Sequence, residues 1–147
     1  MSPSWVALVA QGLPLNLAKY RPSVYTYGVT MTGQPMQEPT FMILTALADG
    51  AQHGYGIMTE VTRISQGRVR LRAGTLYAAL DRLLRSESIS VEREEIVDGR
   101  LRRYYRLTPS GVELLAAEAS RLSANARMAT TRLRRLAGGA LVAGGAA

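Results

Sequence analysis

Hydrophobic residues recur at spacings of three and four along three stretches of the chain, which predicts three short amphipathic helices. The first stretch, "FMILTALADG", follows Pro39-Thr40 and ends at Asp49-Gly50. The second is "HGYGIMTEVTRIS" and the third is "TLYAALDRLLRS". Their apolar stripes are Ile43, Leu44 and Leu47, then Ile57, Val61 and Ile64, then Leu76, Leu80, Leu83 and Leu84. We therefore expect a three-helix core.

The hydrophobic period changes to two between residues 89 and 107. The alternating apolar residues are Ile89, Val91 and Val97 before Asp98-Gly99, and Leu101, Tyr105 and Leu107 after it. Alternation on both sides of an Asp-Gly dipeptide predicts a β-hairpin. The fold class that follows is mainly α with a small β-hairpin (α+β).

The register of this hairpin has two alternatives. A two-residue Asp-Gly loop, the commonest type, sets Glu95 opposite Arg102 but puts Val97 and Leu101 on opposite faces. A loop longer by one residue sets Val97 opposite Leu101 and Glu95 opposite Arg103. We favour the longer loop, because a slip of one residue would expose the whole apolar set. In both alternatives, glutamates face arginines across the ladder.

A long final helix is predicted from Thr108, a good N-cap residue, and Pro109 at the first helical position. Its apolar residues alternate spacings of three and four as far as Leu136, like the seam of a coiled coil. This seam consists of Val112, Leu115, Ala119, Leu122, Ala126, Ala129, Leu133 and Leu136. A helix of this length is a rod of roughly 40 Å, more than a three-helix core can cover. We therefore expect the seam to form a homodimer.

The two ends of the chain differ in composition from the part between them. Residues 1–35 are rich in proline and glycine and have no sustained periodicity, so we expect a disordered arm or a mis-annotated extension with the true start at Met36. The rest divides into a winged helix-turn-helix domain at 36–107, a dimerisation helix at 108–136 and a flexible tail of glycine and alanine at 137–147.

Composition narrows the possible functions. The 147 residues are 47% hydrophobic, enough for one folded domain. They include no cysteine and a single histidine, His53, so a metal site, a cofactor or catalytic chemistry is not expected and a small hydrolase is improbable. No apolar run reaches the length of a membrane span and none resembles an export signal, so we expect a cytoplasmic protein. The net charge of +7 points to an anionic partner.

Three helices, a hairpin and a long final helix suggest a winged helix-turn-helix dimer, in which the third helix enters the major groove of DNA and the hairpin reaches beside it. Residues 63–106 hold eleven arginines against six acidic residues. The candidate DNA contacts are Arg70, Arg72, Thr75, Tyr77, Arg82, Arg100, Arg102 and Arg103. The alternatives are that Arg102, Arg103 and Arg106 pair with Glu92, Glu94 and Glu95, that Thr75 is a helix cap and that Tyr77 is a half-buried core residue.

Three blocks, "EPTFMILTALADGAQHGYGI", "LRAGTLYAALDRL" and "EEIVDGRLRRYYRLTPSG", resemble in this order the PadR family of bacterial transcriptional regulators. The resemblance covers residues 37–136. It implies a winged-helix repressor that dimerises through the final helix, binds a pseudo-palindromic operator in double-stranded DNA and is released by a small-molecule effector. By motif position it puts Thr75 and Tyr77 on the recognition helix and "DGRLRRYY" on the wing.

Three further residues in these blocks carry expectations. Ser88 stands where relatives commonly have glycine, so we expect the end of the third helix to lose a residue that adopts positive φ at low cost. His53, beside a helix N-terminus, is expected to cap or pack rather than bind a ligand, and Tyr55 is expected in the core. The alternative function is a winged-helix module that binds another protein and uses its arginines for internal pairing.

Overall fold

The computed structural model describes residues 35–143, with side chains as far as Gly139. The predictions for residues 1–34 and for the last four residues of the tail therefore lie outside the described part of the chain. The elements in order are α1 (Glu38–Leu47), β1 (Gln52–His53), α2 (Gly54–Ile64), α3 (Ala73–Arg85), β2 (Ile89–Val97), β3 (Arg100–Leu107) and α4 (Pro109–Ala143). The predicted fold class, mainly α with a small sheet, is confirmed.

The core is built from the apolar stripes of the first three helices and from the base of the hairpin. Its buried members include Ile43, Leu44, Leu47, Ile57, Val61, Leu76, Leu80, Leu83, Ile89 and Tyr105. Burial of each large aliphatic side chain contributes about 1.5–3 kcal/mol. The stripes face one another because the loops between the helices are short, and this packing fixes the side of α3 that remains in solvent.

The end of α3 is closed by a Schellman motif. The Ser88 N–H donates to the Leu83 carbonyl at 3.0 Å and the Glu87 N–H donates to the Leu84 carbonyl at 3.0 Å. The residue with positive φ is Glu87, at 56°, and Ser88 is buried, with its carbonyl accepting the Thr108 N–H at 3.2 Å. The expectation that Ser88 takes the place of a required glycine is therefore wrong: the left-handed position lies one residue earlier.

Strands β2 and β3 form the hairpin with a two-residue loop, so the favoured register with the longer loop is wrong. The pairs nearest the loop are Val97↔Arg100, Ile96↔Leu101, Glu95↔Arg102 and Glu94↔Arg103. A β-bulge follows at Glu92, the extra residue between the pairs Val91↔Tyr105 and Arg93↔Tyr104. Because the bulge shifts one strand by a residue, the apolar pairs at the base and the two-residue loop at the tip are compatible.

The sheet has a third strand that the sequence pattern did not predict. The two residues of β1 pair with β3, which gives the strand order β1-β3-β2. His53 lies where β1 meets α2: its Nδ1 accepts the Gly56 N–H at 3.2 Å, and its ring meets Tyr104 edge to face with centroids 5.4 Å apart. The expected capping and packing role of His53 is confirmed.

Helix α4 begins as predicted and ends later than predicted. Thr108 Oγ1 accepts the Gly111 N–H at 3.0 Å, so Thr108 is the N-cap. The helix then runs past Leu136 to Ala143, so residues 137–143 are helical and not a flexible tail. Alanine, the best helix former, surrounds Gly138 and Gly139 and offsets part of their cost of about 1 kcal/mol each.

Candidate nucleic-acid interface

The first two turns of α3 present small residues, one threonine and one tyrosine to solvent. Leu76 and Leu80 are buried in the core, whereas the residues on the other side are exposed: Ala73, Gly74, Thr75, Tyr77 and Ala78. The N-cap position of α3 belongs to Arg72, so the alternative that Thr75 caps the helix is wrong. The N–H groups of the first turn point out of the helix end, where they attract anions.

Tyr77 rests on the start of α2. A Cβ atom at Gly54 would lie 2.7 Å from the hydroxyl oxygen of Tyr77, so glycine at this position lets the ring lie where it does. The side chain is still 52% exposed, so Tyr77 is a surface residue whose ring is covered on one side by the start of α2. Tyr55, on the first turn of α2, is 72% exposed, so the expectation that it lies in the core is wrong. Tyr55 is therefore a second exposed tyrosine, which the sequence pattern did not predict.

Arginines lie at both ends of α3. Arg70 and Arg72 precede the helix, Arg82 lies on its exposed side, and within residues 35–143 none of the three takes part in an ion pair. Arg68 differs, because its Nη1 donates to Glu38 at 3.0 Å. Arginine keeps its charge at every physiological pH and offers a planar fork of donors, so unpaired arginines here have the chemistry that phosphate binding requires.

The wing, defined as the β2–β3 hairpin, divides its arginines between internal pairing and free charge. Arg103 Nε donates to Glu94 at 2.7 Å, as in the pairing alternative. Glu95 instead accepts the Tyr104 hydroxyl at 2.5 Å, and Arg102 forms no ion pair with any described residue. Arg100, beside the turn, is exposed and likewise unpaired in the described chain.

The remaining wing arginines are held against the sheet. The Arg93 guanidinium lies 3.7 Å from the centre of the Tyr104 ring and also contacts Glu92 at 3.2 Å. Arg106 Nε donates to Ser90 Oγ at 3.4 Å, so its predicted pairing with a glutamate is absent from the described contacts. The free charge of the wing is therefore concentrated at Arg100 and Arg102.

Positive potential from the wing reaches His53. Burial, and after it the charge of Arg102, lower the pKa of His53 below its ordinary value of 6.5, while Glu95 acts in the opposite direction. His53 is therefore neutral at pH 7, as its role as hydrogen-bond acceptor requires. Burial also raises the pKa of Tyr105, which keeps this core hydroxyl protonated.

The predicted seam on α4 is in part covered and in part open. Val112 and Leu115 are half-buried, and Leu115 packs with Leu114 against the core. Beyond them all seam residues are exposed: Ala119, Leu122, Ala126, Ala129, Leu133 and Leu136. Leu133 is 64% and Leu136 is 71% exposed, so an uncovered apolar stripe follows the outer part of the rod.

Two further properties of residues 35–143 bear on function. None of their helices combines the length and the apolar character that a membrane crossing requires. No group of three or more histidine and carboxylate side chains among them could hold a metal ion.

Three helices, a wing and an arginine-rich surface around α3 define a winged helix-turn-helix protein of the DNA-binding class. A family model described as "Transcriptional regulator PadR-like family" matches residues 43–117, and the chain belongs to this family. Members of the family are transcriptional regulators rather than enzymes, and DNA binding by this chain follows by homology.

Individual relatives agree with the family match. The chain is 38% identical over 85 residues to "Transcriptional regulator Rv3488" of Mycobacterium tuberculosis, covering 58% of this chain and 76% of the relative. A PadR family transcription regulator of Clostridium difficile R20291 has a similar fold, with a TM-score of 0.56 at 22% identity over 66% of this chain and 99% of that one. A transcriptional regulator of Clostridium thermocellum superposes with a TM-score of 0.55 at 23% identity, covering 63% and 89%.

Proposed function

We propose that this regulator is a homodimeric repressor that binds a pseudo-palindromic operator in double-stranded DNA and is released by a small-molecule effector. The observation that carries the proposal is a set of arginines without ion pairs in the described chain, of which Arg102 is partly exposed and the others are exposed: Arg70, Arg72, Arg82, Arg100 and Arg102. Arg70 and Arg72 directly precede α3, Arg82 lies in its last turn, and Arg100 and Arg102 lie on the wing, a distribution suited to the phosphates that flank a major groove.

Each part of this surface has its own task. The exposed face of α3 enters the major groove, where Thr75 and Tyr77 can reach base edges or phosphate oxygens. Arg70 and Arg72 bind phosphates together with the N–H groups at the start of α3. Arg100 and Arg102 bind the backbone beside the groove, and Arg103 contributes less because Glu94 already neutralises it.

The dimer rests on the exposed seam of α4. Leucines at 64% and 71% exposure are costly in water, and a second copy with the same stripe would cover them. A two-fold dimer presents two copies of α3, so its operator has two related half-sites about one or more helical turns apart. The apolar seam, lined by leucine and alanine, is also the surface on which an apolar effector could act by changing the spacing of the two protomers.

Fluorescence anisotropy tests the proposal directly. The purified protein is titrated with duplex from its own upstream region and with a scrambled duplex over a series of salt concentrations. We expect a preference of about a thousandfold for the native duplex and an affinity that falls steeply with salt. Equal weak binding to both duplexes would contradict this expectation and favour the alternative, a module that binds another protein. A pull-down experiment would then identify that protein.

A further inference from the structure

Two neighbouring positions of the wing ladder place a glutamate opposite an arginine, and the two pairs differ. Glu94 stands opposite Arg103, and Arg103 Nε donates to its carboxylate at 2.7 Å. Glu95 stands opposite Arg102 in the same ladder, yet these two side chains form no ion pair. Cross-strand partners have Cβ atoms about 5 Å apart, so both pairs are close enough to form. A further contact must therefore hold Glu95 away from Arg102.

The hydroxyl of Tyr104 supplies this contact. Tyr104, Glu95 and Arg102 lie on one face of the wing, opposite to the face that carries the buried Tyr105. Tyr104 is the diagonal neighbour of Glu95 across the ladder, a distance that an aromatic side chain can span. Its hydroxyl donates to Glu95 Oε1 at 2.5 Å. The carboxylate of Glu95 is therefore bound to its diagonal neighbour and not to the arginine directly opposite.

The ring of Tyr104 is itself held in place by two neighbours. The Arg93 guanidinium lies 3.7 Å from the centre of the ring, and His53 meets the ring edge to face with centroids 5.4 Å apart. A ring fixed in this way keeps its hydroxyl at one position beside Glu95. Because Arg93 is already engaged with the ring, Arg102 is the cation that a released Glu95 would meet directly across the ladder.

We propose that Tyr104 is a positioning residue, whose hydroxyl holds Glu95 away from Arg102 and so keeps the Arg102 guanidinium free for a DNA phosphate. The inference rests on the proposed DNA-binding function and deepens it, because it gives the reason why one of two similar glutamate–arginine pairs is open. An arginine bound to a carboxylate has to give up that partner before it binds a phosphate, whereas a free arginine exchanges only water and counterions.

The test is a double-mutant cycle on Tyr104 and Glu95 in the full-length protein. Fluorescence anisotropy measures binding to the native upstream duplex over a series of salt concentrations. Tyr104→Phe removes the hydroxyl but keeps the ring on which Arg93 and His53 pack. Glu95→Gln keeps an acceptor for the hydroxyl but has no charge that could neutralise Arg102. The cycle therefore separates the loss of the hydroxyl from the neutralisation of the arginine.

We expect Tyr104→Phe to bind the duplex about threefold more weakly than wild type, because the released Glu95 neutralises Arg102. The slope of log K against log salt should fall by roughly half a unit or more for the same reason. Glu95→Gln is the matched control background, in which Tyr104→Phe is expected to change neither the affinity nor the slope. Arg102→Ala should itself lower the slope by about one unit, and adding Tyr104→Phe should then have no further effect.

Three results would overturn the positioning role while leaving the proposed function intact. The first is a Tyr104→Phe variant with the affinity and salt slope of wild type, and the second is an Arg102→Ala variant that binds like wild type. The third is an equal loss from Tyr104→Phe in all backgrounds, as expected if the hydroxyl contacts DNA itself or only supports the wing. Thermal melting of each variant at the wild-type temperature excludes misfolding as the cause of a loss. A wild-type protein that binds no duplex would overturn the proposed function and the positioning role together.

Discussion

His53 joins the start of α2 to the wing through one neutral ring. Its Nδ1 accepts the Gly56 N–H, and its edge meets Tyr104. Protonation would convert the acceptor into a donor and break the cap. The lowered pKa of His53, caused first by burial and then by Arg102, shows that the folded protein resists this change.

Acid is therefore expected to weaken the fold through His53. The unfolded chain takes up this proton near pH 6.5 and the folded chain only at lower pH, so the contribution of His53 is complete above about pH 6.5 and is lost as the pH falls through the folded pKa. We expect the Tm of wild type to fall more between pH 7 and pH 5 than that of His53→Asn, because asparagine caps a helix without titrating. Calorimetry over this range checks the prediction, and parallel curves would contradict it.

Arg100 and Arg103 differ in their freedom to bind phosphate, although both lie on the wing. We expect Arg100→Ala to weaken binding to all duplexes alike and to reduce the slope of log K against log salt by about one unit. Arg127→Ala, an exposed substitution on the rod of α4, is the control and should leave the slope unchanged. If the loss at Arg100 were confined to one sequence, Arg100 would read a base and not the backbone.

Elements that are determined by residues close together in the sequence could be predicted, whereas elements that depend on contacts with distant segments could not. The leucine stripe of α3 and the Thr108 cap of α4 are set by residues within a few positions of one another, and both were predicted. Strand β1 has two residues and no period; it forms only because β3 offers a free edge. The hairpin register depends on the bulge at Glu92, which no alternation of apolar residues reveals.

Tyr55 is a different case, because the sequence held the information. It lies two residues before Ile57, or roughly 200° around the helix, and so on the side away from the buried stripe of α2. The aromatic character of Tyr55 favours a position in the core, but its position around the helix puts the side chain in solvent. Among the candidate site residues the sequence could identify the arginines, whereas their division into paired and free required the cross-strand register.

The junction of α3, the wing and α4 depends on one glycine. A Cβ atom at Gly111 would lie 1.9 Å from the carbonyl oxygen of Ser88, which is backbone and cannot move aside alone. Gly111→Ala is therefore expected to lower the free energy of unfolding by about 2–3 kcal/mol, as overpacking does. Gly74→Ala, where nothing lies within 4 Å, is the matched control and should stabilise the protein by roughly half a kcal/mol. Urea denaturation measures both, and a neutral Gly111→Ala would contradict the close packing of this junction.

On the scale of the whole molecule, the described chain leaves the apolar stripe of α4 largely uncovered. The three helices and the wing end at Leu107 and the first turns of α4 pack against their core, yet α4 continues far beyond it with its apolar stripe open to solvent. The five arginines of the rod leave the stripe free of charge: Arg121, Arg127, Arg132, Arg134 and Arg135. A second copy that covers the stripe would link two α3 helices, and linkage makes the second half-site contact intramolecular.

Leu133→Glu tests this assembly without disturbing the fold of one chain, because Leu133 is already 64% exposed. In the proposed dimer the substitution buries a carboxylate in the seam of each copy, which costs several kcal/mol and weakens association on the order of a hundredfold or more. Light scattering is then expected to report a monomer, and the operator affinity to fall by about a hundredfold because the two half-sites are no longer bound together. Met128→Glu is the matched control: Met128 is 58% exposed but lies roughly 140° around the helix from Leu133, so this variant should remain a dimer. If both variants remained dimers, another surface would hold the protomers together. If both became monomers, any added negative charge on α4 would prevent association, whichever face it lies on.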